Sequence, residues 1–107
     1  MTAVDPRTGL SASILSHKEA LDARIQARYD TIPSYIKEDL REAITWAEET
    51  LTKHEGAGHH FSVYANKDGT LGCAFSKPQW SGDHSWTGMD TAEEAIVMSV
   101  VSYLEGG

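Results

Sequence analysis

Between Leu51 and Phe61 the spacing of apolar residues changes, and that change limits the folds open to this chain. Before it, Ile36, Leu40, Ile44, Ala47 and Leu51 recur at the 3.6-residue period of a helix with one buried stripe. After it, Phe61, Val63 and Ala65 alternate with His60, Ser62 and Tyr64, the period of two that marks a strand. Gly56 and Gly58 lie at the change, and Gly56 can take the left-handed conformation that ends a helix. The chain therefore has to join a helical part to a sheet.

The helical part begins with Leu21, Ile25, Tyr29 and Ile32, which place a first helix at about His17 to Asp30, stopped by Pro33. Ser16 and Glu19 have the spacing of a capping box at its start. Residues 1–12 carry Pro, Gly, Ser and Thr without an apolar period and read as a flexible lead-in, leaving 13–107 as one domain. A second helix runs from a Ser34 cap to Gly56, and the two helices are expected to form a hairpin.

In the sheet part, Asn66 to Thr70 supplies an Asp-Gly turn, so the run Thr70 to Lys77 is the antiparallel partner of the first strand. A short third strand is expected near His84 to Gly88. Asp90 or Thr91 then caps a last helix so apolar around its circumference that it should cross the sheet as the main core element. The fold class is α+β: an N-terminal helical hairpin, a three-stranded antiparallel sheet and a C-terminal core helix, in the order ααβββα.

Charge and length narrow the function. In 107 residues there are 16 Asp and Glu against 9 Lys and Arg, a formal charge of -7, with only Lys67 and Lys77 as cations after Gly56. Nucleic-acid binding takes most of its affinity from Lys and Arg on phosphates, so direct binding of DNA or RNA is not expected. A basic partner, such as a nucleic-acid-binding protein, fits the balance better. With one cysteine and no apolar run of about 20 residues, the plain reading is a cytoplasmic protein without disulfide, membrane span or secretory signal.

Three of the five histidines fall in Lys53 to Phe61, KHEGAGHHF. A zincin needs HExxH on one helix turn. Here His54 and Glu55 are followed by His59, with two glycines between them, and the spacing fails. An enzyme reading survives only if His59 or His60 meets His84 around a metal; adjacent strand residues point to opposite faces, so one of the pair at most can join. Cys73, between Gly72 and Ala74 in a strand, reads as a buried small hydrophobe and not as a nucleophile. Neither a catalytic set, a metal nor a cofactor is expected.

The candidate binding residues are Asp39, Glu42, Trp46 and Glu49 on the second helix, with Trp80, Asp83 and Trp86 in the loop that follows the hairpin. A Trp among carboxylates can anchor an interface, contributing about 2 kcal/mol or more. Trp46 can equally widen the core contact. Of Trp80 and Trp86, one is expected to cover the sheet edge and the other to be free to bind. The apolar stripe of the helical hairpin could also pair two copies as a homodimer.

Residues 61–105 resemble the N-terminal part of HicB-type antitoxins: a hairpin, then a strand leading through GMDTAEEA, Gly88 to Ala95, into an apolar helix. The resemblance implies an antitoxin-like partner for a small toxin. The αβββα order from Ser34 is similar in outline to double-stranded-RNA-binding domains, but DTAEEA stands where those carry a basic cluster, which implies shared topology without RNA binding. As a type, a small acidic αβ chain with aromatics and no catalytic set resembles phage-encoded inhibitors, including anti-CRISPR proteins. That resemblance implies a non-enzymatic inhibitor that blocks a basic nucleic-acid-handling target.

Overall fold

A computed structural model describes the backbone of residues 6–106 and the side chains from Lys18 onward. The elements are α1 (Pro6–Thr31), α2 (Ser34–Glu38), α3 (Leu40–Glu55), β1 (His60–Ala65), β2 (Leu71–Ser76), β3 (His84–Met89) and α4 (Ala92–Gly106). This is the expected α+β order, with the second helix divided in two. Among the described residues no helix is long and apolar enough to cross a membrane.

The first helix starts well before the expected boundary. Pro6 suits a first helical position because its missing N–H would have had no partner there. Residues 6–12 of the expected lead-in are thus helical, residues 1–5 lie outside the described residues, and Ser16 stands inside the helix and not at its cap. The stripe was placed correctly: Ile25 and Tyr29 are buried, with Leu21 and Ile32 packed beside them.

The break in the second helix falls at Asp39, whose backbone is extended at φ -130° and ψ 122°. Its carboxylate accepts the Glu42 N–H at 3.0 Å and caps α3, whereas α2 begins after Pro33 with no side-chain cap, so Ser34 does not serve as one. The break shifts the phase of the buried face. Ala43, Ala47 and Leu51 are fully buried, Ile44 is half-buried, and Leu40, expected in the core, is 46 % exposed. At the far end Gly56 has φ 97°, and its N–H bonds the Thr52 carbonyl at 2.9 Å, ending α3 where the sequence placed the stop.

The sheet order is β1-β2-β3, antiparallel throughout. Phe61 pairs with Phe75 and Val63 with Cys73 in β1 and β2, while β3 sets His84 opposite Phe75 and Trp86 opposite Cys73. Since side chains alternate across a strand, these residues share the face turned to α4. At the turn, Asp68 accepts both the N–H and the hydroxyl of Thr70, and Gly69 takes φ 89°.

α4 lies between two layers, touching all three strands on one side and α1, α2 and α3 on the other. Ala95 to Ser102 are therefore buried without interruption, as a helix apolar on all sides requires. Its two buried serines bond back along the helix, Ser99 to the Ile96 carbonyl and Ser102 to the Ser99 carbonyl. Of the two expected caps it is Thr91 that serves, its hydroxyl accepting the Glu94 N–H at 3.2 Å.

Candidate functional site

The histidine-rich stretch resolves into separate environments. His54 in the last turn of α3 is exposed, with its ring edge-on to Tyr103. His60 opens β1 and faces solvent. His59 alone turns inward: its side chain is 3 % exposed, edge-on to Trp80 and Phe75, and its Nε2 lies 3.2 Å from Glu55 Oε2. The other Glu55 oxygen accepts the Tyr103 hydroxyl at 2.5 Å, and Lys77 Nζ donates to the Glu55 backbone carbonyl at 3.1 Å.

Burial is the largest influence on the Glu55 carboxyl and pushes its pKa up. The Tyr103 and His59 hydrogen bonds, with the charges of His59 and Lys77, outweigh it and hold the group below the usual Glu value. The same hydrogen bond, with burial, raises the Tyr103 phenol to about 12. This cluster joins the end of α3 to α4 and β2 around Phe75. Both oxygens of the Glu55 carboxylate are thereby engaged, one by His59 and one by Tyr103.

His84 and His59 both pack on Phe75, but each has its own polar partner. His84 Nε2 is 2.7 Å from Ser102 Oγ, and burial lowers its pKa. Among the described residues no three His, Cys, Asp or Glu gather as metal ligands, so the expected alternative of His59 or His60 with His84 has no assembled site. Cys73 is buried, and burial raises its thiol pKa, which keeps it protonated and inert.

The expected binding residues fall into separate surroundings. Asp39 is occupied as the α3 cap, while Glu42, Glu49 and Asp83 are exposed. Trp46 is half-buried against the core, the second of the two roles open to it. Trp80 packs against Phe75, Tyr103 and His59 and lines an open pocket with Asp83, Trp86 lies on the core side of β3, and both are half-buried.

The exposed apolar surface lies elsewhere. Among the described residues Tyr35, at 61 %, is the most exposed of the large apolar side chains, and Leu40 follows it across the break, with the exposed carboxylates of Glu38 and Glu42 in the same corner of chain. Leu40 and Ile44 continue into an open groove against Phe61, Val63 and Ile96, with Glu48 at its rim. The signal for this surface was present in the sequence: Asp39-Leu40-Arg41-Glu42 has the Asp-x-x-Glu spacing of a helix start. Reading it as a boundary would have moved Leu40 out of the core.

Compared with known protein families, curated proteins and solved structures, the chain matches none.

Proposed function

We propose that the protein is a non-enzymatic binding module that blocks a basic, nucleic-acid-handling protein, in the manner of small phage-encoded inhibitors. The observation that carries this reading is the α2–α3 corner, where Tyr35 and Leu40 are exposed among Glu38 and Glu42 on a chain of charge -7. An exposed aromatic with a carboxylate one helical turn on, Glu38 after Tyr35, has the makings of an interface anchor. Tyr supplies contact area at low entropic cost, and the acidic surround speeds encounter with Lys- and Arg-rich surfaces. Tyr35 is the anchor of this reading because it is 61 % exposed, whereas each of the three tryptophans is half-buried against the core.

The antitoxin reading rests on Gly88 to Ala95. There the Thr91 cap and the carboxylates of the first helical turn are accounted for by the start of α4 itself, so a toxin is not needed to explain them.

Affinity capture from host lysate with the full chain tests the proposal, comparing the unchanged protein with Tyr35→Ala/Glu42→Lys. The expected result is enrichment of a basic nucleic-acid-binding protein, weakened on the order of tenfold by the double substitution and by added salt. Recovery of no such protein, or equal recovery by the variant, would sink it.

A further inference from the structure

The two edges of the sheet differ. β3 is interrupted: between Leu71 and Cys73 its register shifts, and Gly88 takes φ 87°, so its edge is bent as a bulge bends a strand. β1 pairs with β2 in unbroken register from His60 to Ala65 and contains no proline, glycine, lysine or carboxylate. Those are the devices by which exposed strand edges are normally kept from pairing. Among the described residues β1 packs only on β2 and α4, which leaves its outer edge open.

The ladder shows which backbone groups face outward. The Asn66 N–H bonds the Thr70 carbonyl at 2.8 Å, and hydrogen-bonded pairs alternate along an antiparallel ladder, so Tyr64, Ser62 and His60 spend their N–H and C=O groups on β2. Phe61, Val63 and Ala65 present theirs to the open edge. The same residues line the side of the sheet turned to α4, where Val63 is 43 % exposed at the mouth of the groove with Leu40 and Ile44.

We infer that this edge is a homodimer interface, β1 pairing antiparallel with β1 of a second copy about a two-fold axis at Val63. In that register Val63 meets its own counterpart and Phe61 lies opposite Ala65, large against small, with each pair exchanging two backbone hydrogen bonds. On the outer face Ser62 meets Tyr64. The two-fold keeps both helical layers on one side of a continuous sheet, so the contact that pairs the backbones also brings the two apolar grooves together. Charge along the strand favours a second copy: Gly56 to Lys67 contains no carboxylate, so the paired β1 strands of two chains of charge -7 set no acid against each other, and the nearest carboxylate of the groove is Glu48 on α3. The surface differs from the α1–α3 stripe expected to serve dimerisation, whose residues Ile25, Tyr29, Ile36, Ala47 and Leu51 are consumed in the core.

Sedimentation equilibrium on the full chain, with amide hydrogen exchange read at single residues, tests the inference. The expected result is a dimer in which the Val63 and Ala65 amides exchange more slowly as concentration rises. Val63→Lys should shift the protein to monomer by on the order of a hundredfold in dimer Kd, while Ser85→Lys on the solvent face of β3 leaves it dimeric. A circular dichroism spectrum separates lost pairing from lost folding. Should Val63→Lys unfold, Ala65→Pro removes an outward N–H that the chain itself does not use. A protein monomeric at every attainable concentration would overturn the inference. So would a dimer that persists in a folded edge variant, or edge amides whose exchange ignores concentration.

Discussion

The two ends of α3 carry carboxylates with opposite fates. Glu55, at the C-terminal end, is enclosed by Tyr103, His59 and Lys77, partners that arrive from α4, the residue before β1 and the loop after β2. Glu42, at the N-terminal end, is exposed beside Leu40, its backbone N–H held by Asp39. The residue type is the same, and its chemistry alone does not separate them. Where the tertiary structure supplies internal partners a carboxylate stabilises the fold; where it supplies none, the charge is available to another molecule.

The strongest way to break this contrast is to remove the centre of the enclosed end. Phe75 packs against Phe61, Trp80, His59, His84 and Tyr103, and Phe75→Ala should destabilise the protein by about 3–5 kcal/mol in urea denaturation. A loss below about 1 kcal/mol would mean that the aromatic layer closes over the gap and is not the anchor described. Glu55→Ala strands the buried His59 ring and the Tyr103 hydroxyl and should cost about 2–3 kcal/mol. The reversal Glu42→Lys at the open end should change stability by less than about 0.5 kcal/mol. Equal losses at the two ends would erase the distinction.

Titration sharpens the same comparison. Glu55 and His84 both have folded pKa values below their unfolded ones, so their contributions are present above the unfolded values, 4.5 and 6.5, and are lost as pH falls through the folded values. Tyr103 and Tyr29 have folded values raised to about 12, so theirs are present below 10.0 and are lost as pH rises toward 12. With the Cys73 thiol also held by burial above its unfolded 9.0, stability should be flat between roughly pH 7 and 9 and fall on both sides. In Glu55→Ala the alkaline fall should weaken, because the Tyr103 hydroxyl has lost its acceptor; an unchanged alkaline limb in thermal melts across pH would count against the pairing.

Smaller effects belong to the open end. Asp39→Ala removes the α3 cap and should cost about 1 kcal/mol, with Asp39→Asn recovering most of it. Tyr35→Ala, at the most exposed aromatic, should move stability by no more than about 0.5 kcal/mol while weakening partner capture. A large stability loss there would mean that Tyr35 belongs to the core and not to an interface.

The order of elements was legible because its signals are local. The Gly56 helix stop, the Asp68-Gly69 turn and the Thr91 start of α4 are contacts between near neighbours, and all three appear in the structure. The break at Asp39 was equally local but was masked by the apolar period running through it, which placed Leu40 in the core and made Asp39 a binding residue. The tryptophans were harder to assign: whether Trp46, Trp80 or Trp86 faces in depends on what lies across from each, and flanking Gly, Ser and Asp do not encode that.

By itself the sequence determined the succession of helices and strands, the acidic balance, and the failure of the histidines to match a helical zinc motif. Periodicity, caps and turns act over a few residues, so they can be read before the chain is folded. Only the tertiary structure decided that His59 turns inward to a Glu55 that also binds Tyr103, 48 residues away, while the adjacent His60 faces solvent. It likewise left β1 open at an edge and bent β3 at the other. Those outcomes depend on which surfaces α4 covers, and burial by a distant element leaves no mark in the local pattern of the residues it buries.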